Sequence, residues 1–336
     1  MIGTYGQDPQ ESGARLPRFA KRAQEEAFLD DFNRALLAVS SDVMPTAARA
    51  AVLPIIYIVG VPRSGTTLLS QLVSRFLPVG YVNNLIARCW RRPAVGIVLT
   101  RALLGERARE GITFHSSYGT THEVVGPHEF GYFWRQWLSL DAAPNHHLSP
   151  DAQQAVDREG LRVALEQEIL GVFDSPVVFK NVICGFHAAL LTAVHPPSLF
   201  IHIVRDPYSA ATSILEARML RYGSYDTWWS LKPSTYPFSH RNDPAAEVAQ
   251  QVVDCRREFE QELSRPGVQS MTVGYEELCR DPAGVLDRIG QRIVAFGVSC
   301  QRVPGDLPAL TPTPPSSLPD PLVRRLRECL AQAERP

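Results

Sequence analysis

Ile55-Ile56-Tyr57-Ile58-Val59 runs straight into Gly60-Val61-Pro62-Arg63-Ser64-Gly65-Thr66-Thr67, and Leu68 to Phe76 continues at helical spacing. The opening run is β-branched and aromatic and has the length of a buried strand. Thr66 to Phe76 fits a helix. Between them the glycines stand at the spacing of the P-loop, G-x-x-x-x-G-K-[ST], in the strand-to-helix setting that loop requires. Backbone N–H groups of such a loop and the open helix N-terminus attract an anion. One position departs from the pattern. Where a nucleoside triphosphatase carries the lysine that reaches the β- and γ-phosphates, this chain has Thr66, and the cation stands inside the loop as Arg63. Asp206, at a later strand end, is followed by Pro207 and reads as a helix N-cap rather than as a Mg²⁺ ligand. The loop therefore reads as an anion site without obvious metal equipment.

Outward from this loop, Val177-Val178-Phe179 ending on Lys180, Leu199 to Val204, and Val268 to Val273 read as further strands. Helices are expected around Phe186 to Val194, from Asp206 to about Leu220, over roughly 244–264, and after Pro282. Strands alternating with helices imply an α/β fold: a P-loop NTPase-like parallel sheet flanked by helices. Lys180 ends a strand expected to lie beside that of Arg205, so both should project at the sheet edge where ligands of open α/β sheets bind. An amphipathic helix is expected between Phe19 and Val39, with Phe28, Leu29, Phe32, Leu36 and Leu37 at helical spacing, after a loose 1–17. Residues 80–175 mix short helical stretches with a polar, His-rich segment and should form a mainly helical cap over the strand ends. Within them Ala94 to Leu104 reads as a buried helix or a substrate-side element. Residues 223–243 read as an aromatic, Pro-rich loop and 304–320 as linker-like. With no internal repeat, the chain is expected to be a single domain over 1–336. Residues 1–50 form an N-terminal helical extension and about 80–175 a cap or acceptor insertion.

Composition narrows the function classes. At 336 residues, 45% hydrophobic and 21% charged, the chain can bury a sizeable core. A net charge of -1 argues against a dedicated nucleic-acid binder. The six cysteines are scattered with no C-x-x-C, so reduced thiols are expected. The polar N-terminus lacks the apolar core of a signal peptide, and no apolar run is long enough to span a membrane. A cytoplasmic protein is expected. Of 34 basic residues only Lys21, Lys180 and Lys232 are lysine. Arginine so dominates that a surviving lysine at a strand end, Lys180, gains interest.

The loop resembles the 5′-phosphosulfate loop of the sulfotransferases that use 3′-phosphoadenosine 5′-phosphosulfate (PAPS). It is most similar to the Arg-containing form of protein-tyrosine sulfotransferases and many bacterial enzymes. A second motif, Arg205-Asp206-Pro207-Tyr208-Ser209-Ala210-Ala211-Thr212-Ser213, has Arg at a strand end and Ser eight residues on. The resemblance implies that Arg205 and Ser213 bind the 3′-phosphate, while Arg63, Ser64, Gly65, Thr66 and Thr67 hold the 5′-phosphosulfate. Val273-Gly274-Tyr275-Glu276-Glu277-Leu278 is similar to a third, weaker family mark. The marks span about residues 55–290. The residues agree with what such a cofactor needs, which is two separate anion sites, one built on a planar bidentate donor.

Sulfuryl transfer to a hydroxyl needs in-line placement, a base for the acceptor proton and positive charge on the leaving oxygen. Arg63 and Lys180 are the candidate cations. Cytosolic sulfotransferases carry Lys-Thr-His near this distance from the 3′-phosphate arginine; here Lys180-Asn181-Val182 keeps the lysine and lacks the histidine. Protein-tyrosine sulfotransferases place a Glu where this chain has Asn83, which takes no proton. The base candidates are therefore His122 and Glu129, then His128 and Glu123, two His-Glu pairs in the insertion. No H-E-x-x-H or zinc-type Cys/His spacing occurs, so no metal is expected. The Trp228-Trp229 loop is the better candidate for lining an acceptor pocket, and Trp134 reads as core. The expected reaction moves a sulfuryl group from PAPS to a small-molecule, sugar or lipid hydroxyl, leaving adenosine 3′,5′-bisphosphate. A P-loop kinase of a small molecule and a non-catalytic nucleotide-binding protein are the rivals.

Overall fold

The computed structural model describes residues 15–39, 50–105, 107–140, 145–239, 242–311 and 318–334. Most of the segment expected to be loose, 1–14, lies outside these residues. Five parallel strands form one sheet in the order β2-β3-β1-β4-β5: β1 Ile55–Val59, β2 Gly80–Tyr81, β3 Val177–Lys180, β4 Ser198–Val204 and β5 Ser270–Gly274. All five residues of β1 are buried, as a central strand covered on both faces should be. Its side chains divide by the period of two. Ile55, Tyr57 and Val59 enter one core, and Ile56 and Ile58 enter the other. Tyr57 stacks between the rings of Phe179 and Phe200 on the neighbouring strands, at centroid distances of 5.9 and 4.7 Å.

Ten of the helices are used below, in chain order: α1 Ala23–Leu36, α2 Thr66–Phe76, α3 Pro93–Leu104, α4 Gly131–Leu138, α5 Ala188–Val194, α6 Pro207–Tyr222, α7 Pro244–Leu263, α8 Tyr275–Arg280, α9 Pro282–Val294 and α10 Asp320–Ala333. Residues of α4 to α7 and α10 pack on the Tyr57 face, and residues of α2, α8 and α9 on the Ile56 face. Asp206 caps α6 as the sequence implies, its carboxylate accepting from the Ser209 N–H at 2.7 Å.

Three expectations need correction. β3 and β4 are not neighbours, because β1 lies between them and pairs with both. Lys180 is level with Ile58 on one side of the central strand, and Arg205 follows β4 on the other. In α1 the apolar positions do not form one buried stripe. Phe28 is 67% exposed and Leu37 56%, while the polar Asn33 is fully buried. Asn33 docks the helix by giving its amide to the Leu29 and Arg88 carbonyls and accepting from the Arg91 N–H. The linker-like stretch does not run free of the body: Pro308 to Thr311 border the main cleft, while 312–317 lie outside the described residues.

Candidate active site

Loops leaving β1 and β4 go to opposite sides of the sheet, so their C-terminal ends form a topological switch point. A cleft of about 1140 Å³ opens there. Its floor is the P-loop, folded tightly for a local reason. Gly65 has φ +101°, a region that favours glycine. A Cβ at Gly65 would stand 2.5 Å from Cδ2 of Tyr275, and one at Gly60 2.5 Å from the Ile203 carbonyl oxygen. Arg63 itself has φ +69°, a costly conformation for a non-glycine residue that surrounding contacts must hold. No side chain caps the start of α2, so its first-turn N–H groups point toward the cleft.

Two arginines are tied together over this floor. Arg63 gives its Nε–H to Ser213 Oγ at 2.9 Å, and Arg205 donates to the Arg63 carbonyl at 3.0 Å. Each guanidinium also covers an aromatic ring: Arg63 that of Tyr118 at 5.0 Å, Arg205 that of Tyr275 at 4.5 Å. Neither forms an ion pair with a carboxylate among the described residues. Burial, and next the charge of Arg205, hold the pKa of Arg63 below the ordinary guanidinium value. Arg205 Nε is buried with no hydrogen-bond partner. Cations crowded in this way, short of counter-charge, make an anion site.

Ser64 differs from its place in the motif. Its N–H is given to the Val61 carbonyl at 3.1 Å and its hydroxyl is buried outside the cleft lining. It shapes the turn, whereas Gly65, Thr66 and Thr67 border the cleft.

Lys180 is 2% exposed and ends β3 beneath the cleft. Its ammonium meets Glu129 Oε1 at 2.8 Å and the Thr67 hydroxyl and Gly119 carbonyl at 3.2 Å each. Glu129 borders the cleft with 48% of its side-chain surface exposed. Burial alone would raise its pKa, but the Lys180 charge and hydrogen bond, joined by His128 and Arg221, together hold it below the usual carboxylate range. Asn181, not singled out in the sequence, fixes this turn by giving its amide to the Glu129 carbonyl at 2.8 Å.

The four base candidates are thus separated. Glu129 alone borders the main cleft. His122 is exposed and lines neither this cleft nor its neighbour. His128 accepts the Phe130 N–H at Nδ1, 2.8 Å away, and burial lowers its pKa to about 4. The neutral ring therefore carries its proton on Nε2 and has no lone pair left for a substrate proton. Glu123 is bonded to Thr113 and lies outside the lining. Asn83 is buried and caps a turn through the Ile86 N–H at 2.8 Å. Trp134 is core, stacked edge-on to Phe179 at 5.2 Å. Trp229 borders the cleft with Ser230, while Trp228 turns inward against Tyr236 at 4.6 Å. Sequence reading missed Tyr118 and Arg221 on the cleft wall, and it quoted Tyr275 without a role.

The model of the Sulfotransferase family matches residues 54–293. Two curated relatives are similar at 26% identity over 272 residues: the omega-hydroxy-beta-dihydromenaquinone-9 sulfotransferases Stf3 of Mycobacterium bovis and Mycobacterium tuberculosis. The match covers 74% of this chain and 64% of each relative's length. Among solved structures, sulfotransferase STF9 from Mycobacterium avium aligns with 97% of this chain and 80% of its own, at 17% identity and a TM-score of 0.46. STF1 from Mycobacterium tuberculosis aligns with 92% of this chain and 80% of its own, at 14% identity and 0.45. The matched family segment runs from the residue before β1 into the last turn of α9 and encloses the P-loop, Lys180, Arg205 and Ser213: the chain belongs to the sulfotransferase family.

Proposed function

We propose that this protein transfers a sulfuryl group from PAPS to the hydroxyl of a small-molecule, sugar or lipid acceptor by metal-independent in-line displacement, releasing adenosine 3′,5′-bisphosphate. The observation that carries the reading is the pair Arg63–Arg205, linked over the start of α2 and lacking a carboxylate partner among the described residues. It fits a ligand with two phosphate-type groups held close together. PAPS supplies the activated sulfuryl group. Arg63 and the N–H groups at Gly65 to Thr67 hold the 5′ end, and Arg205 with Ser213 holds the 3′-phosphate. Glu129, ionised at neutral pH, accepts the acceptor's hydroxyl proton as the new O–S bond forms. As the S–O bond to the nucleotide breaks, Lys180 and Arg63 face the charge left on its oxygen.

A lipid-like hydroxyl acceptor is in keeping with the substrate named for the mycobacterial relatives. Among the described residues no helix is long and apolar enough to cross a membrane. All six cysteines are buried free thiols, which supports a cytoplasmic location.

The test is thermal stabilisation by adenosine 3′,5′-bisphosphate compared with ATP/Mg²⁺, in the wild type and in Arg63→Ala and Arg205→Ala. The bisphosphate should stabilise the wild type more, and both variants should lose most of the effect. Equal stabilisation by ATP/Mg²⁺, or variants that keep the full shift, would overturn the reading.

A further inference from the structure

A lysine ammonium has three N–H groups, and those of Lys180 are all in use. They go to Glu129 Oε1 at 2.8 Å and, at 3.2 Å each, to the Thr67 hydroxyl and the Gly119 carbonyl. The Thr67 hydroxyl in turn donates to the same carbonyl at 3.5 Å. Beside it, the ring of Tyr118 covers the Arg63 guanidinium at 5.0 Å. Two adjacent residues, Tyr118 and Gly119, thus sit on three groups of the anion site.

The turn that carries them is built to yield. Ser117 and Thr120 close it with reciprocal backbone bonds of 2.9 and 3.0 Å. Both central residues have positive φ, +47° at Tyr118 and +88° at Gly119. Glycine adopts this freely, but a tyrosine there is strained and stays only while its contacts hold it. The chain on either side is anchored. Gln71 gives its amide to the Thr113 and His115 carbonyls at 2.8 and 3.1 Å. Asn84 gives its own to the Thr121 carbonyl and hydroxyl at 3.3 and 3.0 Å. Between these anchors Ser116, Ser117 and Thr120 are exposed, and the Thr120 hydroxyl accepts from Arg221 at 3.4 Å. Of the three partners of Lys180, Glu129 is held by charge and Thr67 by the first turn of α2. The Gly119 carbonyl is the one free to leave. Being neutral, it binds a cation less strongly than an ionised phosphate oxygen does.

We propose that the Tyr118–Gly119 turn is a plug. In the nucleotide-free protein it occupies the place of the nucleotide's 5′ group, which must lift it to reach Lys180, Thr67 and Arg63. This rests on the sulfotransferase reading, because that reading places the 5′ group there. Apparent affinity is then reduced by the fraction of molecules whose plug is seated, so loosening the plug tightens binding.

Two variants loosen it. Tyr118→Leu removes the aromatic face from Arg63. Gly119→Ala penalises the seated turn through φ alone, since its Cβ would meet only Thr67 Oγ1, at 3.8 Å. In calorimetry on the full chain, each should bind adenosine 3′,5′-bisphosphate about three- to tenfold more tightly than the wild type. Adenosine 3′-phosphate, which lacks the 5′ group, leaves the plug seated and should bind all three proteins alike. A second measurement needs no variant. The bisphosphate should speed chymotrypsin cleavage of the wild type at the Tyr118–Gly119 bond by about threefold or more, read by mass spectrometry. Unchanged or weaker bisphosphate binding in both variants, or slower cleavage at that bond, makes the turn a wall of the site and overturns the plug alone. Failure of the wild type to bind the bisphosphate overturns the nucleotide reading and the plug with it.

Discussion

Replacing Lys180 by methionine keeps the side chain's length and removes its charge. The ammonium stands 2.8 Å from Glu129 Oε1. At that separation two unit charges attract by about 6 kcal/mol at an effective dielectric of ~20, and by about 1.5 kcal/mol at that of water. Glu129 keeps 48% of its side chain exposed, so screening places the operative value near the lower figure. At roughly 1.4 kcal/mol per pKa unit this is about one unit. In the native protein Lys180 holds the carboxyl below its ordinary range against a burial effect that pushes upward. Without Lys180 the upward push of burial meets only the weaker lowering influence of His128 and Arg221. Glu129 works as a base when ionised, so the acid limb of the pH–rate profile should move to higher pH by about one unit. The plateau rate should also fall by about 10²–10³, as when a group facing the leaving oxygen is lost. The assay is release of adenosine 3′,5′-bisphosphate from PAPS, with the acceptor the wild type turns over fastest. Nucleotide binding serves as the folding control. An acid limb that stays in place, or wild-type turnover in Lys180→Met, would refute the assignment of both residues.

Four further outcomes are expected. Glu129→Gln should keep bisphosphate binding and lose about 10²–10⁴ in transfer, whereas His122→Ala stays near wild type; the reverse result in the same release assay would move the base to His122. Gly65→Ala should abolish bisphosphate binding by calorimetry at a stability cost of roughly 1–3 kcal/mol, because its Cβ would meet the Tyr275 ring that supports Arg205. Glu247→Ala should cost about 3–5 kcal/mol in urea denaturation, because it strands the fully buried Arg218, its partner at 2.9 Å. Stability should also depend on pH. Burial holds His128, His187 and His202 at about 4 and His146 at about 3, against 6.5 ordinarily. The unfolded chain therefore binds more protons across that interval. Stability is full above about 6.5 and falls as pH drops toward about 4, and a urea midpoint unchanged between neutral and mildly acid pH would contradict this.

Much of the cleft floor was legible because its signals are local. β1, β3 and β4 are apolar runs that stop at Gly60, Lys180 and Arg205, and a strand end announces itself in the residues that follow it. The two-residue β2 carries no periodicity and could not be seen. Strand order was invisible for another reason. Pairing is a choice among partners of similar composition, so the sequence did not reveal that β1 stands between Lys180 and Arg205. The base was ambiguous because four titratable residues lie within eight positions. What separates them is contact with distant chain: Lys180 and Asn181 for Glu129, and a turn N–H for His128. Asn181 had no signal beyond its place after Lys180.

The central seat of β1 bears on how such a protein diversifies. Lys180, Arg63 and Arg205 stand at or just past the ends of three adjacent strands, β3, β1 and β4, whose backbone register fixes their spacing. Glu129 and Trp229 belong to segments outside the sheet. A one-residue slip in the sheet would turn every strand side chain to the wrong face, but an exchange among the outer segments leaves that register untouched. The molecule is thus a fixed chassis with a replaceable front, and transplanting 113–135 with its companion loop at 223–239 should carry acceptor preference from one relative to another while the choice of nucleotide travels with the recipient.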